Sequence, residues 1–293
     1  MKIGIGTAQF GLDYGVTNAQ GQIPMQEAHT IISAGLERGF TCIDTSPAYG
    51  NAEAVLGNYQ QLGQFDVITK TISIDEPDWN DDSVDAVIVA FLRSLDTMKI
   101  AQCYGLLIHN PKDLQKKNAR RLTDRLQSLK DQKKVEKIGV SVYDEEHIDQ
   151  AKSLFDFDLI QLPLNIFNQD LAVSGSLRTL KRDQVEIHAR SVFLQGIALS
   201  SADNLPDNLA EFKVPLAELT TCAEVQNTSC SELCLAYIKQ TGMVDVAILG
   251  VHSTEHLHAI PTGDESRFER IDWSRFRVND SMLTNPMNWA KRK

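Results

Sequence analysis

The sequence predicts an α/β protein, and specifically a (β/α)8 barrel, or TIM barrel. Three observations predict this fold. Short apolar runs alternate with longer amphipathic segments, eight such runs can be counted, and they are apolar throughout instead of alternating with polar residues. Continuous apolar strands are typical of a parallel sheet that is covered on both faces. Eight strands that are each followed by a helix close into a barrel.

The eight predicted strands are spread along the chain. They cover residues 2–7, 40–44, 65–70, 104–109, 137–142, 157–162, 185–190 and 244–249. The first predicted helix, residues 25–38, carries apolar residues at positions 28, 31, 32, 35 and 36, which share one helix face. The other helices between these strands are predicted at residues 52–61, 81–99, 114–133, 145–154 and 174–181.

The connection after the seventh strand is longer than the others. It is predicted to contain a loop at 194–215 and two helices at 216–226 and 229–240, and a last helix follows the eighth strand near 254–260. We expect residues 1–293 to form a single barrel domain, with residues 262–293 as a C-terminal tail packed on the barrel.

A doubly wound nucleotide-binding fold is the competing interpretation. Its fingerprint is a glycine-rich turn directly after the first strand. Gly4 and Gly6 have the spacing of its first two glycines, but the third position holds Gln9 and the glycine pair lies inside the predicted strand. The sequence therefore favours the barrel.

Composition and charge exclude several classes of function. Lys and Arg number 29 against 39 Asp and Glu, which gives a net charge of -10, and no basic stripe stands out. A nucleic-acid-binding protein needs a concentrated basic surface, so no nucleic-acid partner is expected.

The sequence shows neither a signal-peptide pattern nor an apolar run of about 18 residues, so we expect a cytoplasmic protein without a membrane partner. Five cysteines, an odd number, argue against a disulfide framework. Oligomeric state is not predicted.

Four titratable residues follow the ends of three successive predicted strands. Asp44 and Tyr49 emerge from the second strand, Lys70 ends the third and His109 ends the fourth. Because the C-terminal ends of barrel strands share one face, these side chains are predicted to form one cluster. Taken singly, such residues are more often helix caps or packing residues, but their occurrence at successive strand ends favours catalysis.

The four residue types suit the protonation of an oxygen atom. A phenol with an ordinary pKa near 10 is a weak acid, and a neighbouring ammonium lowers that pKa. We expect Lys70 to acidify Tyr49, Asp44 to hold Lys70 protonated, and His109 to orient a carbonyl. Protonation at a carbonyl oxygen accompanies hydride delivery to carbon. No side chain donates hydride, so a nicotinamide cofactor is implied.

Several stretches of the chain resemble the aldo/keto reductase superfamily, and the resemblance covers almost the whole sequence. The matching stretches are residues 4–7, 44–50 with Glu53, 56–57, 69–70, 107–109, 139–141, Gln161 and 190–196. Asp44, Tyr49, Lys70 and His109 look like the catalytic tetrad of that family, in the same order. By this resemblance, Tyr49 is the proton donor in the reduction of a small aldehyde or ketone by NAD(P)H.

The resemblance also implies where the cofactor binds. Ser141 and Gln161 look like the residues that hold the nicotinamide carboxamide, residues 191–196 resemble the loop over the pyrophosphate, and residues 250–256 correspond to the segment at the adenosine end. The full set of expected cofactor-binding residues is Thr7, Asp44, Ser141, Gln161, Arg190, Ser191, Phe193, Gln195, Gly196, Gly250, His252, Ser253 and His256.

The chain departs from the family pattern at three places. Val142 stands where an asparagine is frequent, and Arg190 stands where an aromatic residue commonly stacks on the nicotinamide. The adenosine-end segment carries histidines and an acid instead of Lys or Arg, although phosphate recognition favours fixed positive charge. We expect NADP(H) from the resemblance, with NAD(H) possible.

The substrate is predicted only by class. Gln9, Phe10, Trp79 and Asn110 follow strand ends and are expected to line the substrate pocket, for a polar carbonyl compound that is sugar-like or anionic. Two other functions stay open: a regulatory or scaffold protein that binds cofactor with little turnover, and another barrel chemistry such as a metal-assisted hydrolase or lyase. Clustered metal ligands at the required spacing are missing from the sequence, so no metal is expected.

Overall fold

The computed structural model describes residues 1–16, 18, 21–261 and 268–291. At its centre, eight strands in chain order form a closed barrel in which each strand is parallel to both neighbours. The strands are β1 (Lys2–Gly6), β2 (Cys42–Asp44), β3 (Asp66–Lys70), β4 (Cys103–Ile108), β5 (Val135–Ser141), β6 (Leu159–Pro163), β7 (Glu186–Arg190) and β8 (Val246–Gly250). The predicted (β/α)8 barrel is confirmed.

Helices surround the barrel and connect its strands. They are α1 (Ala8–Gly11), α2 (Met25–Glu37), α3 (Ala52–Gly57), α4 (Asp81–Met98), α5 (Ala119–Asp131), α6 (Glu145–Leu154), α7 (Asp170–Val173), α8 (Ser176–Arg182), α9 (Lys213–Val225), α10 (Cys230–Gln240), α11 (Thr254–His258) and α12 (Ser281–Thr284). Their apolar faces pack on the outward side chains of the strands to form the main hydrophobic core. A smaller apolar cluster fills the barrel interior. No described helix is long and apolar enough to cross a membrane.

Two predicted helices differ from the observed ones because backbone geometry interrupts them. The helix predicted at 52–61 ends at Gly57, where α3 approaches α4 so closely that a Cβ would collide with the carbonyl oxygen of Thr97. The helix predicted at 114–133 begins only at Ala119, because Asn118 adopts a left-handed conformation with φ of 58°. The loop predicted at 194–215 contains three short 3-10 helices and the start of α9.

The described part of the C-terminal segment, residues 268–291, contacts the connection that follows β6. Phe268 and Phe276 are fully buried in the main core. The backbone N–H of Val278 donates to Phe167 O at 2.9 Å, and Gln169 Nε2 donates to Trp273 O at 2.7 Å. Residues 262–267, 292 and 293 of the expected tail lie outside the described residues. The division into one domain and a tail stays a prediction.

The strand register brings the C-terminal ends of the first four strands to one rim, which we call the mouth. Gly6 lies beside Asp44, Asp44 beside Ile68, and Lys70 beside Leu107, two positions before His109. Because side chains alternate between the two faces of a strand, Asp44 and Lys70 both point into the barrel at this rim. The fold thus places the titratable residues in reach of each other.

Candidate active site

A buried ion pair between β2 and β3 forms the base of the site. Lys70 Nζ lies 2.7 Å and 2.8 Å from the two carboxylate oxygens of Asp44, and it also donates to Thr45 O at 2.8 Å. Lys70 is 1% exposed. Burial alone lowers the pKa of an ammonium, but Asp44 and Tyr49 together outweigh it and hold the pKa of Lys70 above its ordinary value of 10.5. The predicted role of Asp44, which is to keep Lys70 charged and in place, agrees with this geometry.

Tyr49 lies directly above this ammonium. Lys70 Nζ lies over the Tyr49 ring, 4.9 Å from its centroid. Burial raises the pKa of the Tyr49 phenol above its ordinary value of 10.0, and the opposing effect of Lys70 does not outweigh it. The expectation of a net acidified phenol is therefore not met here: Lys70 acts in the expected direction, but desolvation is the larger effect.

His109 completes the cluster from the end of β4. Its ring is edge-on to the Tyr49 ring, with centroids 5.9 Å apart. Its Nδ1 lies 3.3 Å from Ser46 Oγ, and its backbone N–H donates to Thr71 Oγ1 at 3.2 Å. Burial, together with the positive charge of Lys70, lowers the pKa of His109 to about 4. At neutral pH the imidazole is therefore uncharged and can donate a single N–H.

Ser46 is the hydrogen-bond partner of His109 Nδ1, and the sequence did not assign this residue a role. Ser46 Oγ accepts a hydrogen bond from the backbone N–H of Ala48 at 3.1 Å, so its own proton is free for His109 Nδ1. If Nδ1 is the acceptor, Nε2 carries the proton of the neutral ring. The only signal in the sequence was the position of Ser46 between Asp44 and Tyr49.

Two expected cofactor residues, Gln161 and Thr7, bond to Asp44 or to its backbone. Gln161 Nε2, from β6, donates to Asp44 Oδ1 at 2.7 Å across the barrel interior. Thr7 is buried, and its hydroxyl and backbone N–H both donate to Asp44 O at 3.0 Å. Both residues therefore help to fix Asp44. Ser141 ends β5 beside Gln161 in the strand register and is also buried, so the two expected carboxamide-binding residues are neighbours.

Arg190 leads from β7 into the expected pyrophosphate loop. One guanidinium nitrogen donates to Val142 O at 3.0 Å, and the guanidinium carbon lies 4.4 Å from the centroid of the Tyr143 ring. The guanidinium thus stacks on Tyr143, an aromatic residue that the sequence did not single out. Arg190 is one of the positive charges that lower the pKa of His109, so it faces the same mouth.

The loop after β7 has an unusual backbone. Ser191, Leu194 and Gln195 adopt left-handed conformations with φ of 56°, 46° and 53°, and Gly196 has φ of 93°. Side-chain-bearing residues in this region carry strain of about 1–3 kcal/mol each, and such strain clusters at binding sites. Asn165, which the sequence did not single out, helps to hold the loop because its Nδ2 donates to Ser191 O at 3.0 Å. Phe193 is half-buried, and its carbonyl accepts from Gly196 N at 3.0 Å.

The turn after β8 holds the remaining expected cofactor residues. Gly250 is exposed at the strand end, and a Cβ at this position would collide with Nε2 of Gln9. His252 and His256 lie edge to face with ring centroids 6.0 Å apart, and Ser253 caps α11 by accepting from His256 N at 3.2 Å. This turn therefore lies beside the end of β1.

The four expected substrate residues do not form a single group. Gln9 is 5% exposed and lies at the mouth between β1 and β8. Asn110 follows His109, but its side-chain oxygen accepts from Lys112 N at 3.1 Å and caps a 3-10 helix.

Phe10 is fully buried in the main core. Trp79 is 1% exposed, and its Nε1 donates to Asp113 O at 2.8 Å, so it packs beneath the β4 connection. The structure thus gives packing roles to Phe10 and Trp79.

Three features of this rim fit a dinucleotide that runs from the tetrad towards β8. The left-handed backbone at 194–196 belongs to the loop that follows β7, and successive N–H groups in such conformations can form a concave anion site. Gln9 Oε1 and His252 Nδ1 are buried polar atoms without a protein partner in the described residues. Buried polar atoms are normally paired, so these two are available to a bound group. Gly250 is exposed at the end of β8, and the Gln9 amide fills the space that a side chain there would need.

Comparison with known proteins identifies the family. A model of the aldo/keto reductase family matches residues 2–269, so the chain belongs to the aldo/keto reductase family. The predicted resemblance is confirmed. Membership makes the chain an NAD(P)H-dependent oxidoreductase.

Individual relatives are distant. A glyoxal reductase of Bacillus subtilis (strain 168) is 26% identical over 223 residues, which are 75% of this chain and 72% of that protein. An aldo-keto reductase of Mycobacterium sp. (strain JLS) is 30% identical over 133 residues, 43% of this chain and 45% of that protein.

Solved structures share the fold at low sequence identity. An aldo-keto reductase of Bacillus halodurans in its holo form aligns with a TM-score of 0.70 and 16% identity, over 99% of this chain and 91% of the other. An aldo/keto reductase of Klebsiella pneumoniae, solved in complex with NADP and acetate, aligns with a TM-score of 0.64 and 18% identity, over 99% and 89% of the two chains.

Proposed function

We propose that the chain reduces the carbonyl group of a small aldehyde or ketone, with Tyr49 as the proton donor. The observation that carries the proposal is the contact of the Tyr49 phenol with the Lys70 ammonium, which Asp44 holds at 2.7 Å inside the barrel. A reduced nicotinamide, when bound, supplies the hydride. The side chains of the protein supply the proton and the electrostatic environment.

The four side chains divide this work. As negative charge develops on the substrate oxygen, Tyr49 transfers its hydroxyl proton to that oxygen, and Lys70 stabilises the resulting phenolate. Asp44 stabilises the positive charge of Lys70 during this change. Neutral His109 donates from Nε2 to the carbonyl oxygen and orients it, because Ser46 occupies Nδ1. Ser141 and Gln161 would hold the carboxamide of the cofactor, and the 191–196 loop its pyrophosphate.

The substrate class follows from the polar mouth. Arg190 faces the mouth, Gln9 lies at its edge between β1 and β8, and Asn110 follows His109, which favours a polar or anionic carbonyl compound over an apolar one. The glyoxal reductase relative makes small dialdehydes a reasonable first test. A cytoplasmic location stays a prediction of the sequence.

The experiment compares wild type with Tyr49→Phe on a panel of aldehydes and ketones, with both cofactors, by the absorbance of the reduced nicotinamide. Tyr59→Phe is the matched control, because its hydroxyl bonds to Ser33 and Gln61 away from the mouth. We expect Tyr49→Phe to lose about 10²-fold to 10⁴-fold in kcat, a typical contribution of a general acid. Binding of cofactor with equally slow turnover in wild type and variant would favour the regulatory or scaffold alternative instead.

A further inference from the structure

The turn after β8 has no fixed positive charge of its own. From Gly250 to Pro261 the sequence contains three histidines and one glutamate, but neither Lys nor Arg. Arg38 of α2 donates to Leu257 O at 2.8 Å and His258 O at 2.7 Å, so its guanidinium lies at the far end of α11. Burial and the neighbouring His256 lower the pKa of His252, which therefore stays neutral at neutral pH.

Instead, two carboxylates lie at this turn. Glu27 reaches it from α2: its Oε1 accepts from Thr254 N at 3.3 Å and from Thr254 Oγ1 at 3.1 Å. Glu255 follows in the chain and accepts a hydrogen bond from the Ser253 hydroxyl, which lowers its pKa and keeps it ionised. The two hydroxyls of the turn, on Ser253 and Thr254, are thus both directed at carboxylates.

A separate observation indicates that a ligand reaches this turn. Gln9 is 5% exposed, its Oε1 has no partner in the described residues, and its amide lies against exposed Gly250 at the end of β8. An unpaired buried acceptor of this kind costs about 1–3 kcal/mol unless a ligand satisfies it. His252, two residues beyond Gly250, also has a buried unpaired nitrogen. Both unpaired atoms thus lie at the start of the turn that carries Ser253 and Glu255.

We propose that Glu27 and Glu255 make the chain select NAD(H) over NADP(H). The inference rests on the proposed function, and it revises the expectation of NADP(H) drawn from the resemblance. Carboxylates accept hydrogen bonds from the ribose hydroxyls of NAD(H), whereas discrimination in favour of NADP(H) needs an Arg or a similar cation for the 2′-phosphate. Like charges brought together in a binding site oppose association. The committed hydroxyls of Ser253 and Thr254 would also have to leave their carboxylates to serve a phosphate.

The test is the binding of NADH and NADPH to the purified protein, followed by quenching of tryptophan fluorescence at about pH 8, where imidazoles are neutral. We expect NADH to bind at least about tenfold more tightly, equivalent to about 1.4 kcal/mol. In the double variant Glu27→Gln/Glu255→Gln, the preference should shrink by about tenfold through tighter NADPH binding. Because Glu255 is fully exposed, the single variant Glu255→Gln gives a partial effect without risk to folding.

The matched control is Glu136→Gln, which removes the same charge from the start of β5 at the opposite end of the barrel. It should leave both dissociation constants unchanged. NADPH binding as tightly as NADH in wild type, or a double variant with an unchanged ratio, would overturn the inference while leaving the proposed reductase function intact. If neither nucleotide binds, the proposed function fails and the inference fails with it.

Discussion

At the scale of the residue, the chemistry of the site depends on two opposing effects on Tyr49. Burial raises the pKa of the phenol, and the Lys70 ammonium lowers it by a smaller amount. The identity of the pair was predictable from the sequence, because both residues follow strand ends. The direction of the net pKa shift of Tyr49 was not predictable. It depends on how deeply the ring is buried, which no local sequence pattern indicates. The Tyr49 phenol is consequently protonated at neutral pH. It is expected to transfer its proton only as negative charge develops on the substrate oxygen.

The pH dependence of the reaction follows from these pKa values. Reduction needs protonated Tyr49, whose pKa lies above 10.0, and neutral His109, whose pKa is about 4. The rate should therefore fall only as pH rises through the pKa of Tyr49 or drops through that of His109. We expect kcat/KM for reduction to be flat from about pH 6 to about pH 9. An inflection near the ordinary histidine pKa of 6.5 would contradict the assigned state of His109.

Ser46→Ala tests whether Ser46 sets the tautomer of His109. Loss of the hydroxyl frees Nδ1 to carry the proton, so a fraction of the enzyme has no donor at Nε2. We expect kcat to fall by about fivefold to tenfold, the value of one hydrogen bond, with a smaller change in KM. Ser46→Thr keeps a hydroxyl and should retain most of the activity. An unchanged kcat in Ser46→Ala, with normal thermal stability, would remove Ser46 from the mechanism.

At the scale of the element, the strands were predictable and the loops were not. Continuous apolar runs identified all eight strands to within a few residues, because strands buried on both faces are mostly apolar. By contrast, the break before α5 depends on the left-handed Asn118, and the strained backbone at 191–196 depends on support from Asn165. Both backbone conformations depend on tertiary contacts, which local sequence patterns do not predict. The candidate cofactor loop was therefore located by resemblance, and its conformation came only from the structure.

At the opposite end of the strands, Glu186 forms a polar cluster with His188, Lys137 and Tyr104, and this cluster predicts how stability depends on pH. Burial alone would raise the pKa of Glu186. Hydrogen bonds from His188, Lys137 and Tyr104 nevertheless hold that pKa at about 2, below its ordinary value of 4.5. A lowered carboxyl pKa contributes stability that is complete above the unfolded pKa and is lost as pH falls towards the folded one. Between about pH 5 and pH 2.5, Glu186→Gln should therefore lose less thermal stability than wild type.

The measurement is Tm against pH for wild type, Glu186→Gln and the exposed control Glu136→Gln. Wild type and the control should converge on the Tm of Glu186→Gln as the pH approaches 2. Parallel curves for all three proteins would show that Glu186 is not held ionised by its neighbours.

At the scale of the whole molecule, closure of the barrel is what makes the site. Asp44 of β2 receives Lys70 from β3 and Gln161 from β6, residues that are 26 and 117 positions away in the chain. Neighbouring strand ends could be predicted to meet from chain order alone. The contact between Gln161 and Asp44 could not, because it crosses the barrel interior and depends on its diameter and register. The family resemblance gave Gln161 a cofactor role, and the structure adds a bond to the tetrad.

Asp44→Asn should show that this ion pair also stabilises the fold. The substitution leaves the Lys70 ammonium buried without a countercharge, which costs about 3–5 kcal/mol in comparable buried pairs. The measurement is the free energy of unfolding in urea, beside the exposed control Asp124→Asn, which should change little. A loss below about 1 kcal/mol for Asp44→Asn would mean that Lys70 is solvated or neutral in the folded protein.

The most direct test of the proposed chemistry follows the hydride itself. Wild type is given NADH or NADPH deuterated at the reactive position of the nicotinamide, with a small aldehyde in ordinary water, and the alcohol is analysed by mass spectrometry and NMR. Direct transfer beside Tyr49 predicts one deuterium on the carbinol carbon, and a parallel reaction of unlabelled cofactor in heavy water should place none there. Product without the label, or carbon-bound deuterium taken from solvent, would contradict hydride transfer at this tetrad.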